Sequence, residues 1–193
     1  METIFENPEK NAFLAQGIFP NIPLLEQCVL DIQGKLEERL PIIIYGRQCY
    51  QKRNIGFFSN TSIGYNYSRQ TVLSTPLSCG LSELLEYVNT IFNADFNGIL
   101  VNEYISGEDY ISAHSDDETG LDQIGVVAIS YGYPRKFRIR NKYNKQIVFE
   151  IPTTHCGILH MGGDFQNNYT HEIPVEKRIR EKRISFTFRK HIR

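Results

Sequence analysis

With 193 residues, the chain has the length of one domain built on one sizeable core. Its composition, 41% hydrophobic and 22% charged, is that of an ordinary soluble protein, and a net charge of -1 excludes a globally basic nucleic-acid binder. Cys28, Cys49, Cys79 and Cys156 lack C-x-x-C spacing, and there is no signal peptide or long apolar span. The expectation is a soluble intracellular protein with free thiols and no membrane partner, nucleus and cytoplasm being left undecided.

Residues 1–19 mix polar and aromatic side chains without a clear period and read as a loosely attached arm. Pro23 opens a helix in which Leu25, Val29, Ile32 and Leu36 recur at helical spacing, and Pro41 ends it. Ile42, Ile43 and Ile44 then form a short apolar run tipped by Tyr45 and closed by Gly46. Residues 48–68 are rich in Tyr, Phe, Asn and Ser, more aromatic surface than a soluble domain exposes without a use; the plainer reading tucks these rings beneath loops. Leu81, Leu84, Leu85, Val88, Ile91 and Phe92 mark an amphipathic helix with Ser78 or Ser82 as its cap.

From residue 98 onward the pattern changes to short strands separated by Gly, Pro and Asn turns: 98–105, 124–130, 136–140, 146–151 and a glycine-ended run after Gly157. Strands at this spacing predict a jelly roll, the double-stranded β-helix, with the two helices packed outside it: a mainly β, α+β protein. Two basic runs stand out, Arg135, Lys136, Arg138, Arg140 and Lys142 in the middle, and Lys177, Arg178, Arg180, Lys182 and Arg183 near the end. Phosphate contact and a solvated strand edge explain them equally well.

Two stretches carry chemistry. His114 and Asp116 stand two residues apart, so in an extended segment they share a face and reach one metal ion together. They are two ligands of a 2-His-1-carboxylate triad, the arrangement that leaves positions open on Fe(II). Alone the tripeptide is a weak signal, its plainer reading being an acidic turn, and a third ligand is needed. His155, His160 and His171 compete for that place, and their chemistry does not separate them. The second stretch, residues 183–189, alternates strictly, placing Arg183, Ser185, Thr187 and Arg189 on one face of a half-buried strand. Two inward guanidiniums without an anion between them would be an expensive burial, and a dicarboxylate suits their forks.

Taken in order, Asn102-x-Tyr104, His114-x-Asp116-Asp117-Glu118, the distal His171 and the arginine strand resemble the AlkB-type Fe(II)/2-oxoglutarate dioxygenases that reverse alkylation damage in nucleic acids. The resemblance covers roughly residues 45–189 and is nearest to the branch acting on duplex DNA. It implies one dioxygenase domain over 1–193, divided into an arm and packing helix (1–44), a nucleotide-recognition lid (45–70) and a jelly-roll catalytic core (98–190). It settles the third ligand on His171, because the segment from Met161 through Gln166 to His171-x-x-Pro174 looks like the family's distal-ligand segment, although Tyr169 stands where a Trp is common. Arg183 and Arg189 would then grip the carboxylates of 2-oxoglutarate, with Asn102, Tyr104, Ser185 and Thr187 beside it; Ser185 departs from the Asn of the bacterial prototype.

By the same resemblance Tyr65 and Tyr67 belong to the lid, Tyr67 stacking on a flipped base, and Asp117 and Glu118 contact its exocyclic amine. Tyr45 would be the wedge that fills the gap left in a duplex; its plainer reading is a residue closing a strand over the core. The implied reaction uses Fe(II), 2-oxoglutarate and O2. It hydroxylates the N-methyl group of N1-methyladenine or N3-methylcytosine, and the product loses formaldehyde while 2-oxoglutarate becomes succinate and CO2. The expected partner is methylated DNA, with RNA also open, and the expected state is a monomer. Two alternatives stand: an oxygenase of the same chemistry acting on RNA or protein, and a non-enzymatic cupin-like barrel that binds a metal or small ligand. Succinate formation separates the second from the rest.

Overall fold

A computed structural model describes residues 1–44, 46–62, 64–67, 70–116 and 124–190, with the backbone alone at 44, 65–67, 70 and 71. Fifteen strands are described: β1 (Glu2–Asn7), β2 (Ala12–Ile18), β3 (Pro41–Ile44), β4 (Arg47–Tyr50), β5 (Asn54–Phe58), β6 (Gly64–Tyr67), β7 (Gln70–Thr75), β8 (Gly98–Tyr104), β9 (Ile111–His114), β10 (Val126–Gly132), β11 (Lys136–Asn141), β12 (Ile147–Pro152), β13 (Gly157–Gly163), β14 (Tyr169–Ile173) and β15 (Arg183–Arg189). Nine of them make a large sheet in the order β1-β2-β13-β10-β15-β8-β5-β7-β6, and four make a smaller one, β12-β11-β14-β9. All neighbours run antiparallel except β5 and β7. The two sheets enclose one core, in which Leu14, Tyr104, Val126 and Met161 of the large sheet meet Phe137, Ile139, Tyr169 and Ile173 of the small one. This is the jelly roll expected from the strand spacing.

Two helices cover the other face of the large sheet. Helix α1 (Ile22–Asp31) starts at Asn21, whose side chain accepts the Leu24 N–H at 3.2 Å, with Pro23 in its first turn. It stops before Leu36 because the chain turns left-handed at Gly34 (φ 69°), yet Leu36 still packs on the same core from irregular backbone. Helix α2 (Cys79–Phe92) is capped by Ser78, which accepts the Leu81 N–H at 3.1 Å, and ends at Asn93 with φ 48°. Leu25, Leu81, Leu84 and Val88 pack on Val101, Ile129, Phe186 and Phe188 of the sheet, and each side chain so buried contributes about 1.5–3 kcal/mol. Cys28 and Cys156 are buried here and Cys49 and Cys79 exposed, all four as free thiols. Among the described residues no helix is long and apolar enough to cross a membrane.

Two sequence expectations differ from this structure. Residues 1–19 are not a loose arm: β2 pairs with β13 from Ala12↔Gly163 to Ile18↔Gly157, and Leu14 and Phe19 are fully buried. The strand covers the edge of β13 and supplies part of the inter-sheet core, which composition without a clean period-two pattern does not reveal. Part of the expected lid is core as well. Phe57 and Phe58 are buried in β5, which pairs with β8 at Ile55↔Asn102, so their rings serve packing. The rest of that segment divides into the separate β3-β4 hairpin and the β6-β7 pair at the sheet edge.

Candidate active site

Alternation along β15 builds one wall of a cavity. Ile184, Phe186 and Phe188 face the helices, leaving Arg183, Ser185, Thr187 and Arg189 on the other face, all buried. Pairing with β8 sets Tyr104 opposite Arg183 and Asn102 opposite Ser185, so the polar residues of both strands share that face. The small sheet supplies the opposite wall. There His171 on β14 pairs with His114 on β9, and their ring centroids lie 4.3 Å apart. Asp116 lies two residues beyond β9, in a segment held by two bonds: its N–H donates to Gln166 Oε1 at 3.0 Å, and the Ser115 hydroxyl donates to the Tyr169 carbonyl at 3.0 Å.

The result is a cluster whose ligand atoms all lie within 4.8 Å of one another: Asp116 Oδ1 is 3.8 Å from His114 Nε2 and Oδ2 is 3.7 Å from His171 Nε2. His114 Nδ1 lies 2.9 Å from the Ser112 carbonyl; a proton on that nitrogen leaves the Nε2 lone pair facing Asp116. Burial depresses both imidazoles, His171 to about 3 with His114 and Arg189 adding to the effect and Asp116 opposing it. Burial alone would raise the Asp116 carboxyl. Arg189, then His171 and His114, outweigh it and hold the group well below the usual carboxylate range. Two neutral imidazoles and one carboxylate are the forms in which these residues ligate a metal.

The arginines divide their work. Arg189 Nη1 donates to Asp116 Oδ1 at 3.0 Å. Arg183 Nη2 donates to Ser130 Oγ at 2.9 Å, its guanidinium lies 5.3 Å from the centre of the Tyr104 ring, and its Nε and Nη1 are buried with no hydrogen-bond partner among the described residues. Burial lowers the Arg183 pKa, the nearby Tyr104 opposing and Arg135 assisting. Unused guanidinium donors in a cavity mark a place for an anion.

The expected metal and cosubstrate residues therefore line one cavity, with Arg189 turned toward Asp116 and Arg183 holding buried donors that have no partner among the described residues. The rival histidines are elsewhere: His155 Nδ1 accepts the Gly132 N–H, and His160, between the Phe13 and Phe92 rings, lies 2.6 Å through Nε2 from the Ile124 carbonyl. Tyr45, Asp117 and Glu118 lie outside the described residues, and Tyr65 and Tyr67 are described by backbone only. In the middle basic run Arg138 pairs with Glu150 and Glu172, Arg140 with Glu172, and Arg135 is buried against Glu176 and the carbonyls of Ser106, Asp109 and Pro174. Of the second run, Lys182 pairs with Glu103, Arg183 is in the cavity, and Lys177, Arg178 and Arg180 are exposed. Sequence reasoning assigned no role to Arg53, which lines the cavity, or to Gln166, which holds Asp116; a polar side chain in a polar segment carries no mark of burial.

Comparison with known proteins bears directly on this site. Residues 24–189 match the model of a family described as the 2OG-Fe(II) oxygenase superfamily, which spans both walls of the cavity. The chain belongs to the 2OG-Fe(II) oxygenase superfamily. Among curated relatives of this chain, the human DNA oxidative demethylase ALKBH2 is 27% identical over 155 residues, covering 76% of this chain and 59% of the relative. The bovine alpha-ketoglutarate-dependent dioxygenase alkB homolog 3 is 33% identical over 135 residues, 65% of this chain and 47% of the relative. The chain thus spans about half to three-fifths of the length of these two proteins. A solved structure described as "The structure of OsALKBH1" superposes with a TM-score of 0.60 at 12% identity over 92% of this chain and 97% of that one, a likeness of fold. Fe(II) and 2-oxoglutarate, the pair in the family's description, fit the residues present. The His114, Asp116 and His171 donors leave coordination positions open, and the buried donors of Arg183 stand in the same cavity for a carboxylate.

Proposed function

We propose that the chain is an oxidative demethylase of alkylated DNA bases, acting on N1-methyladenine and N3-methylcytosine and releasing formaldehyde as 2-oxoglutarate is converted to succinate and CO2. The observation that carries this reading is the His114, Asp116 and His171 cluster in one cavity with the Arg183 guanidinium, in a chain similar to proteins named as DNA oxidative demethylases. Bound Fe(II), with 2-oxoglutarate and O2, supplies the oxidation of the N-methyl carbon. His114, Asp116 and His171 hold the iron, and Arg189 keeps the Asp116 carboxylate ionised and oriented. Arg183 grips a carboxylate of 2-oxoglutarate, with Asn102, Tyr104, Ser185 and Thr187 around it. Leu100, Leu159 and Met161 add apolar surface to the cavity lining, which limits water there.

The substrate enters as a flipped base. By the family resemblance Tyr67 would stack on it from a lid that includes Tyr65, Asp117 and Glu118 would contact its exocyclic amine, and Tyr45 would fill the gap it leaves in a duplex. Lys177, Arg178 and Arg180, which are exposed, would supply phosphate contacts, and the chain would act as a monomer of one domain. The test is formaldehyde and succinate release from oligonucleotides carrying either lesion as single-stranded DNA, duplex DNA and RNA. The proposal expects release from DNA; succinate with no release from any of the three would move the substrate to another class.

A further inference from the structure

Arg53 sits just before β5, in the segment whose composition suggested a surface lid, yet it is 4% exposed and lines the same cavity as His114, Asn102 and Arg183. Its Nε donates to Asn102 Oδ1 at 2.6 Å, a short charge-assisted bond between buried side chains. It is the one hydrogen bond the Asn102 side chain makes to the described residues. A carboxamide has an accepting side and a donating side of nearly the same shape, so an asparagine without a directing partner fits either way round. A guanidinium accepts nothing and can pair only with the oxygen.

We infer that Arg53 is a positioning residue for the cosubstrate: it draws the Asn102 carbonyl toward itself and so turns the Asn102 amide N–H groups to the carboxylate of 2-oxoglutarate. The opposite rotamer would face oxygen lone pair with oxygen lone pair and leave the Arg53 Nε without its acceptor. Arg53 thereby acts on the cosubstrate through Asn102 rather than by touching it. This rests on the 2-oxoglutarate reading of the cavity given above.

The experiment is a double-mutant cycle read as the dissociation constant for 2-oxoglutarate, measured by calorimetry on Mn(II)-loaded protein, for the parent, Arg53→Met, Asn102→Ala and the double variant. Each single change is expected to weaken binding about tenfold, and the double variant no more than Asn102→Ala alone. The same loss should appear in KM for 2-oxoglutarate more than in kcat, and Arg53→Lys, which still donates to the carbonyl, should recover part of it. Additive losses near a hundredfold would show that Arg53 meets the ligand itself and overturn the inference, as would an Arg53→Met protein that binds as the parent does.

Asn102→Asp keeps the test open should Arg53→Met fail to fold. With Arg53 in place, one carboxylate oxygen takes its bond and the other must face the cosubstrate, so binding should fall below that of Asn102→Ala. Parent-like binding by Asn102→Asp would overturn the inference. A parent that binds no 2-oxoglutarate would overturn the cosubstrate reading, and this inference with it.

Discussion

Arg189→Met removes the guanidinium that faces Asp116 while roughly keeping its length. Both partners are buried, at 1% and 5% exposure, and their bond is 3.0 Å long. Taking away one member of such a pair strands a carboxylate out of water, which costs about 3–5 kcal/mol. In a domain of this size each kcal/mol moves the melting midpoint by about 2–4 °C, so metal-free Arg189→Met should melt about 6–20 °C below the parent. A divalent cation held by His114, Asp116 and His171 returns positive charge to the same carboxylate. Saturating Mn(II) should therefore narrow the gap between variant and parent, and Arg189→Lys should close part of it without metal. The assay is thermal and urea melting of the three proteins with and without Mn(II). A metal-free variant as stable as the parent would refute the claim that Arg189 holds Asp116, and a gap that Mn(II) leaves unchanged would refute Asp116 as a ligand.

His171→Ala should abolish tight binding of one metal equivalent, followed by the Co(II) absorption spectrum, whereas His160→Ala, on a histidine held by the Ile124 carbonyl, should retain it; the reverse outcome would reassign the third ligand. Arg183→Met deletes the guanidinium with unused buried donors and should raise the 2-oxoglutarate requirement about tenfold to a hundredfold, the value of one charged hydrogen bond, in steady-state succinate assays; an unchanged KM would return Arg183 to a structural role. Tyr45→Ala should lose activity on duplex DNA while sparing single strands, because only a duplex leaves a gap to fill. Equal losses on both substrates with a lowered melting temperature would mark Tyr45 as a core residue.

How much of this could be read in the sequence depends on where each residue's partner lies. The strict alternation of β15 announced both its apolar face and its polar one, and the helical spacing of α1 and α2 and the Ser78 cap of α2 are local signals that the structure repeats, although α1 ends at Asp31 rather than at Pro41. The pairing of His114 with Asp116 was legible for the same reason. The third histidine was legible only through the family resemblance, since the choice between His160 and His171 turns on which face of its strand each occupies. Aromatic content in residues 48–68 gave surface and core the same appearance, and only the pairing of β5 with β8 decides for core at Phe57 and Phe58. Arg135 looks like one cation in a basic run; its partners are carbonyls and a carboxylate some 26 to 41 residues away, a distance at which no local pattern carries information.

The most direct test of the whole account follows the methyl group. A duplex carrying one N1-methyladenine is incubated with the protein, Fe(II), 2-oxoglutarate and O2, and unmodified adenine and formaldehyde are both quantified by mass spectrometry. The account predicts equal amounts of the two, and neither with His114→Ala. Succinate formed at the parent's full rate while the methyl group stays on the base would contradict it.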